Sequence, residues 1–392
     1  MPKQILLVYA KSSVELLNRQ SALGSYIFCL CEILQKNGIN FFVNGIPFDE
    51  LKQQITSKNK NIQPNNKFKK YIPKILKEVA RDIILFKNIK KLSKNIFTKR
   101  KYDCVLEFYN YASDVGLKVS NQQNIPLIVV YDAPVLEEYI FFHGYKYFFK
   151  NKILRRELKT LLYATHIVAY SNAVKNYINQ LASKKLPISL HQNVDFTRFD
   201  FLEKKFDQKS IKIGFIGSFL KWHRIDLLLQ AFYKLREQNN AVELFLIGNG
   251  MEYDSIKESV RQSPFKQFIT MFGFLDGEKL LDIKKQLHIG VMPGSNWYGA
   301  PNKIFEYGAA KMAVVAPSTP TITDLFEDKK DLLFFKQDDL NDLYQKLKTI
   351  CDDVILSEQL ATVLQQKIKH TYSEQNTYEF YSHLIINSVL KQ

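Results

Sequence analysis

Apolar positions recur along this chain with two periods, and their alternation predicts the fold. Ile5–Tyr9 is a short apolar run, suited to a buried strand. After a polar loop, Lys11–Ser25, the residues Ile27, Leu30, Cys31 and Leu34 fall at helical spacing until Asn37-Gly38 stops the helix. Ile39–Val43 is strand-like again. Strand, helix and strand in that order specify a parallel crossover unit. Strand-like runs return at Cys104–Phe108, Pro126–Tyr131 and His166–Tyr170. The chain turns charged and polar over Asp200–Ser210, which predicts a domain linker. The pattern then restarts: strand Ile211–Ile216, turn Gly217, helix Ile225–Leu235, strand Val242–Ile247, turn Gly248-Asn249-Gly250. Further strands fit at Phe268–Phe272, Ile289–Met292 and Ala313–Ala316. In Gln375–Lys391, Tyr378, Tyr381, Leu384 and Ile385 keep helical spacing, a helix expected to cross back to the first domain. The fold class is α/β: two Rossmann-like parallel-sheet domains facing across a cleft, at 1–195 and 206–370, followed by the helix within 371–392. Ligands of such sheets bind at the carboxyl ends of the strands.

One segment breaks the rhythm. Between Lys52 and Lys101 stand 16 Lys and Arg against Glu78 and Asp82, so nearly all of the net charge of +16 lies there. Phe68–Lys101 has helical spacing, with Ile72, Ile75, Leu76 and Val79 among lysines, and reads as a basic helical insertion at about 50–101. Tyr139–Lys159 mixes aromatics and cations more densely still. Such stretches suit an anionic membrane surface, and equally helices with one face in a core. No apolar run reaches the roughly 18 residues of a membrane span. The start of the chain runs straight into a strand rather than a signal peptide. The four cysteines, Cys29, Cys31, Cys104 and Cys351, lack zinc spacing and read as buried thiols in a reducing cytoplasm.

The densest chemistry lies in Ser295–Ala316. A turn-rich loop runs into a helix opened by Pro301, a residue tolerated at the first helical position. The amino end of a helix offers free N–H donors and partial positive charge, which suit a diphosphate. Lys303 adds a full charge there. Glu306, three residues on, shares its face and can accept both hydroxyls of a ribose. A cation and a diol acceptor on one helix answer the needs of a nucleotide-diphosphate sugar, which would be the donor substrate. No cofactor is implied. No two-His or Asp-x-Asp cluster suggests a metal; Asp338-Asp339 and Asp352-Asp353 read as helical and solvated.

The second half resembles the retaining GT-B glycosyltransferases of glycosyltransferase family 4. The resemblance rests on residues in the family's order over roughly 160–340. His166–Ser171 resembles the strand that closes the acceptor domain. Asn193-Val194-Asp195 with Phe199 resembles the family's NGVD-x-x-x-F, with Asn193 in the glycine's place. Gly217–Asp226 resembles the donor phosphate loop, Gly248-Asn249-Gly250 the GDG turn, Pro301–Ala310 the nucleotide-sugar helix, and Ala316–Asp324 the strand and loop after it. The first half shares weaker features: Gly24, Glu107-Phe108-Tyr109 and Tyr131-Asp132-Ala133-Pro134. Two departures stand out. The family often places a glutamate eight positions before Glu306, where this chain has Tyr298. Its usual Arg and Lys on the phosphate loop fall at Ser218 and His223.

The resemblance implies GT-B architecture and retaining, metal-independent hexosyl transfer to a glycan or lipid-linked acceptor, in cell-surface polysaccharide synthesis. The expected setting is cytoplasmic, peripheral on the inner face of the membrane. The donor-binding candidates are Gly217, Ser218, Arg224, Gly248, Asn249, Tyr298, Gly299, Ala300, Pro301, Asn302, Lys303 and Glu306. Lys303, Glu306, His223 and Glu138 are the catalytic candidates. Glu107 and Asp132 are further acids able to orient an acceptor hydroxyl, while His143 and His191 read as structural. Two rival readings remain: a catalytically inactive sugar-nucleotide-binding protein, motivated by Tyr298 and Ser218, and a nucleic-acid-binding protein using 52–101. Nucleic acid is not expected as a partner, because no RNA- or DNA-binding motif is visible. An epimerase on the same fold is a further rival.

Overall fold

The computed structural model describes residues 3–9, 22–57, 74–96, 100–110, 113–143, 148–192, 194–204, 206, 211–238 and 241–390. Most of the polar loop Lys11–Ser25, the 58–73 part of the basic segment, Asn193 and the 207–210 part of the expected linker lie outside them. So do Ile72 and the side chains of Ile75, Leu76 and His143. The chain divides into two compact units, Met1–Asp195 with Glu374–Gln392, and Phe196–Ser373.

The first unit runs β1 (Lys3–Tyr9), α1 (Ala22–Lys36), β2 (Ile39–Val43), β3 (Ile46–Pro47), α2 (Phe48–Ser57), α3 (Lys74–Ile96), β4 (Cys104–Tyr109), α4 (Val115–Gln123), β5 (Leu127–Tyr131), α5 (Val135–His143), α6 (Lys150–Tyr163), β6 (His166–Ala169), α7 (Asn172–Ala182) and β7 (Ile188–Leu190). Its sheet order is β3-β2-β1-β4-β5-β6-β7, parallel except at the β2–β3 hairpin. That hairpin turns at Asn44-Gly45, both at positive φ, a sequence signal that the apolar pattern passed over. Every residue of β4 and β5 is buried, as strands covered on both faces must be. The helix Glu374–Leu390 belongs to this unit, and its Tyr381 and Ile385 enter the same core as Tyr26 and Leu30. His191 stacks on Phe380 of that helix at 4.2 Å between ring centroids, and burial lowers its pKa to about 4. All four cysteines are buried thiols outside any disulfide.

The second unit runs β8 (Ile211–Ile216), α8 (Ile225–Glu237), β9 (Val242–Ile247), α9 (Tyr253–Gln262), β10 (Ile269–Gly273), α10 (Gly277–Gln286), β11 (Ile289–Val291), α11 (Asn302–Ala309), β12 (Ala313–Pro317), α12 (Pro320–Thr323), β13 (Leu333–Phe335), α13 (Leu340–Asp352) and α14 (Val354–Thr371). Its sheet is parallel, in the order β10-β9-β8-β11-β12-β13. That is the dinucleotide-fold order, and its direction of winding reverses between β8 and β11, where such sheets bind ligands.

Two expectations need correction here. The boundary between the units falls at Asp195/Phe196, ahead of the polar stretch Asp200–Ser210. Residues 196–204 are sewn onto the second unit: Gln365 Nε2 donates to Leu202 O and Ala309 O, both at 2.9 Å, and Lys284 bonds Asp200 at 2.8 Å. Their charges have partners inside the unit, so polarity did not mark a free linker. The late aspartates are not merely solvated either. Asp339 caps α13 and Asp353 caps α14, each accepting backbone N–H bonds. Asp338 sits at positive φ and pairs with Arg224, and Asp352 pairs with Lys348.

Glu107 also departs from its expected role. It stands in β4 between Val8 of β1 and Val129 of β5, fully buried, and so cannot meet an acceptor sugar. Neither carboxyl oxygen has a partner of good hydrogen-bond geometry among the described residues. Burial pushes its pKa up to about 8, while nearby Ser113 and the Gly116 amide offset part of the shift. Glu157 of α6, bonded by Tyr131 Oη at 2.5 Å, is raised by burial to about 7. A raised carboxyl pKa means the native state holds a proton that the unfolded chain releases. The contribution to stability is full below the unfolded pKa and is lost as pH rises to about 8, at up to about 1.4 kcal/mol per pH unit. Glu107→Gln keeps the neutral form at all pH values. The Tm of wild type minus that of the variant will therefore fall between pH 5 and 8. His191 and His223 titrate with the opposite sign but cancel in this difference; a difference flat with pH would contradict the assignment.

Candidate functional site

The site is built where β8 and β9 end side by side. Gly217 and Gly248 follow these strands at φ +154° and +131°, conformations that L side chains rarely adopt. Their backbones touch: a Cβ on Gly248 would lie 1.9 Å from Gly217 O, and one on Gly217 would lie 2.4 Å from Lys303 Cε. The absence of both side chains is what lets Lys303 cross the turn after β8. Gly217 N donates to Ile247 O, Gly248 N to Gly273 O, and Phe219 N to Asn249 O, so the loops form one bonded layer.

The helix α11 carries Lys303 and Glu306. Pro301 occupies the capping position just outside it rather than its first turn, and has no N–H to orphan. Tyr307, one turn beyond Lys303, anchors the helix: its hydroxyl accepts from Ile216 N at 2.9 Å. The sequence reading missed Tyr307. Its signal was Gly290 in β11, where a Cβ would lie 2.5 Å from the Tyr307 ring.

Lys303 Nζ lies 2.9 Å from His223 Nε2 and 5.7 Å from the centre of the Phe215 ring. The residue keeps some exposed surface, but its ammonium is crowded by protein. Burial lowers its pKa to about 8, with the charge of Glu306 opposing. His223 Nδ1 lies 2.5 Å from Ser218 O, which must be the acceptor. The ring proton is therefore assigned to Nδ1, and Nε2 accepts from Lys303. Burial first, then repulsion from Lys303, lowers the His223 pKa to about 3. His223 is thus a neutral guide for the ammonium.

Arg224 is not a free cation. It bonds Asp226 through Nε and Nη2 at 3.1–3.2 Å and pairs with Asp338 through Nη1. Ser218 and Asn249 are exposed, and Asn249 Oδ1 accepts from Gly250 N. Tyr298 is buried against Trp297, with ring centroids 5.3 Å apart. Gly299 sits tight on Asn296, whose Oδ1 would be 2.6 Å from a Cβ there. Ala300 and Asn302 are half-buried around buried Pro301. Glu306 faces Arg198 and Lys284, each at 3.7 Å. Glu138 belongs to the first unit, in the first turn of α5, with its N–H bonded to Pro134 O.

The structure therefore brings Gly217, Gly248, His223 and Lys303 into direct contact, at the strand-order reversal, with Glu306 one turn along. Gly217→Ala will displace the Lys303 side chain. We expect nucleoside diphosphate affinity to drop by about tenfold or more, a loss of about 1.4 kcal/mol, measured by titration calorimetry. Unchanged affinity would mean that Lys303 does not need this path.

Known proteins resemble this chain in sequence and in fold. Residues 210–353 match the family model described as glycosyl transferases group 1. A poly(ribitol-phosphate) alpha-N-acetylglucosaminyltransferase of Staphylococcus aureus is 23% identical over 228 residues, 55% of this chain. That match spans only 44% of the relative's own length. The capsular polysaccharide biosynthesis glycosyltransferase CapM of Staphylococcus aureus is 22% identical over 367 residues, 89% of this chain and 90% of that protein. Among solved structures, that of Anabaena HepE in complex with UDP aligns over 98% of this chain and 100% of that one, with a TM-score of 0.67 and 13% identity. Residues 210–353 thus resemble the glycosyl transferases group 1, in a chain with the GT-B fold.

Proposed function

We propose that this protein is a retaining, metal-independent hexosyltransferase that uses a nucleotide-diphosphate sugar. The carrying observation is the Lys303 ammonium, steered by neutral His223 across Gly217 at the reversal point of the second sheet. A diphosphate docked at the α11 amino end would meet this cation and the first helical amides. Glu306 would accept the ribose hydroxyls. Transfer breaks the bond between the sugar's anomeric carbon and the β-phosphate oxygen and forms a bond to the acceptor hydroxyl. The acceptor's proton passes to the leaving diphosphate on the same face. Charge grows on that diphosphate as the bond breaks, and a fixed ammonium with oriented amides stabilises it. Retention is supported by the resemblance to glycosyltransferase family 4. A glycan or lipid-linked acceptor in cell-surface polysaccharide synthesis is supported by the names of the relatives. With Glu107 and Glu157 buried in the core, Asp132 and Glu138, of the acids named from sequence, keep partial exposure after β5, where either would orient an acceptor.

A cytoplasmic site on an anionic membrane completes the proposal. Among the described residues no helix is long and apolar enough to cross a membrane. On the first unit, buried Asp82 of α3 accepts from Phe149 N at the start of α6 and ties the two helices together. Ile83, Ile84 and Phe148 stand exposed on this pair, among exposed Lys87, Lys90, Lys150 and Lys152. Apolar tips within a cationic field suit the headgroup region of an anionic bilayer.

Lys303→Ala is expected to lower kcat by about 10²–10³-fold in an assay of transfer from UDP- or GDP-hexoses. Turnover within threefold of wild type would refute the assignment. In co-sedimentation, vesicles containing phosphatidylglycerol should bind the protein and phosphatidylcholine vesicles should not, and a combined Ile83→Ser, Ile84→Ser and Phe148→Ser variant should lose the binding. Equal binding to both lipids, or none, argues against the membrane site.

A further inference from the structure

Glu306 is gripped from behind by residues outside its own helix. Arg198 Nη1 stands 3.7 Å from Oε1, and Lys284 Nζ stands 3.7 Å from Oε2. Both distances exceed a hydrogen bond. Among the described residues the carboxylate is therefore held by charge, one cation to each oxygen, and its side chain accepts no hydrogen bond. A carboxylate otherwise turns easily about its last torsion, whereas two hydroxyls on adjacent carbons need both oxygens presented at once.

Lys284 is built for a fixed position. Its side chain is 3% exposed, and its closer partner is Asp200 Oδ2 at 2.8 Å. Its backbone is tied as well: Lys204 Nζ donates to Lys284 O and, at 2.8 Å, to Leu287 O, closing the carboxyl end of α10. Arg198 comes from the turn Phe196–Arg198 and is 38% exposed, so it is the looser of the two cations. Asp200, Lys204 and Arg198 all lie in the stretch that the sequence presented as a linker and its approach.

We propose that Lys284 is a positioning residue that presets Glu306 for a vicinal diol, and so sets the preference for ribonucleotide over deoxyribonucleotide donors. This rests on Glu306 accepting the ribose hydroxyls. Removing Lys284 frees the carboxylate to turn, which penalises the two-hydroxyl ligand and leaves the one-hydroxyl ligand almost unaffected.

The test is titration calorimetry with UDP and GDP, each beside its 2′-deoxy form, on the intact protein. Wild type should prefer the ribo form of the nucleotide it binds by about tenfold or more. Lys284→Met should shrink that ratio at least about threefold, with affinity for the deoxy form held within about twofold. Asp200→Asn, which removes the charge that fixes Lys284, should shrink the ratio in the same direction and serves if Lys284→Met folds poorly; an unchanged ratio in Asp200→Asn would overturn the proposal. So would an unchanged ratio in Lys284→Met, or equal weakening of both forms, which marks a purely structural lysine. If Glu306→Gln keeps the ribo preference, the reading of Glu306 itself fails instead. Binding of neither nucleotide by wild type overturns both.

Discussion

The second unit depends on one steric constraint. Three chain segments converge within van der Waals contact after β8: the Gly217 turn, the Gly248 turn and the Lys303 side chain. No side chain larger than hydrogen fits at either turn without a shift: at Gly248 the obstacle is the Gly217 carbonyl, at Gly217 it is the end of the Lys303 side chain, and both turns hold a φ that L side chains rarely adopt. Close-packed interiors do not absorb such overlaps cheaply. The turns thus fix the course of the ammonium before any ligand arrives, and Tyr307 pins the helix that carries it.

The charges around this point are kept apart. The side of Lys303 holds a neutral imidazole, so the ammonium faces no competing anion at hydrogen-bond distance among the described residues. A cation at a helix amino end is unfavourable by itself, and an incoming anion relieves that cost. Glu306, one turn on, is answered by cations from other segments. A direct Lys303–Glu306 bridge would have spent both groups on each other. Arg224 is spent in this way, on Asp226 and Asp338.

The first unit uses its acids differently. Glu107 and Glu157 are core residues beside a stack of Tyr109 on Tyr131, 5.8 Å between centroids, where burial favours their protonated forms. An acidic side chain in an apolar strand looks catalytic in a sequence, yet its accessibility depends on which neighbours cover it. Asp132 and Glu138 follow the same strand edge and keep partial exposure.

Long apolar runs and glycine turns were legible in the sequence, because a buried parallel strand must be apolar throughout and a crowded turn must be glycine. That is why β1, β4, β5, β8 and β9, with Gly217 and Gly248, could be placed from residues alone. The strands that escaped, β3, β7 and β13, are sheet edges of two or three residues, too short to show a period. Lys303 and Glu306 could likewise be named, since their spacing on one helix is local. Their pairings could not: His223, itself a named candidate, lies 80 positions from Lys303, and Arg198 lies over a hundred from Glu306. The sequence alone determined which groups this chain possesses and the helix and turns that present them. The tertiary structure alone decided which groups are charged, which are spent and which stay open, because desolvation and ion pairing depend on distances through space that chain order does not encode.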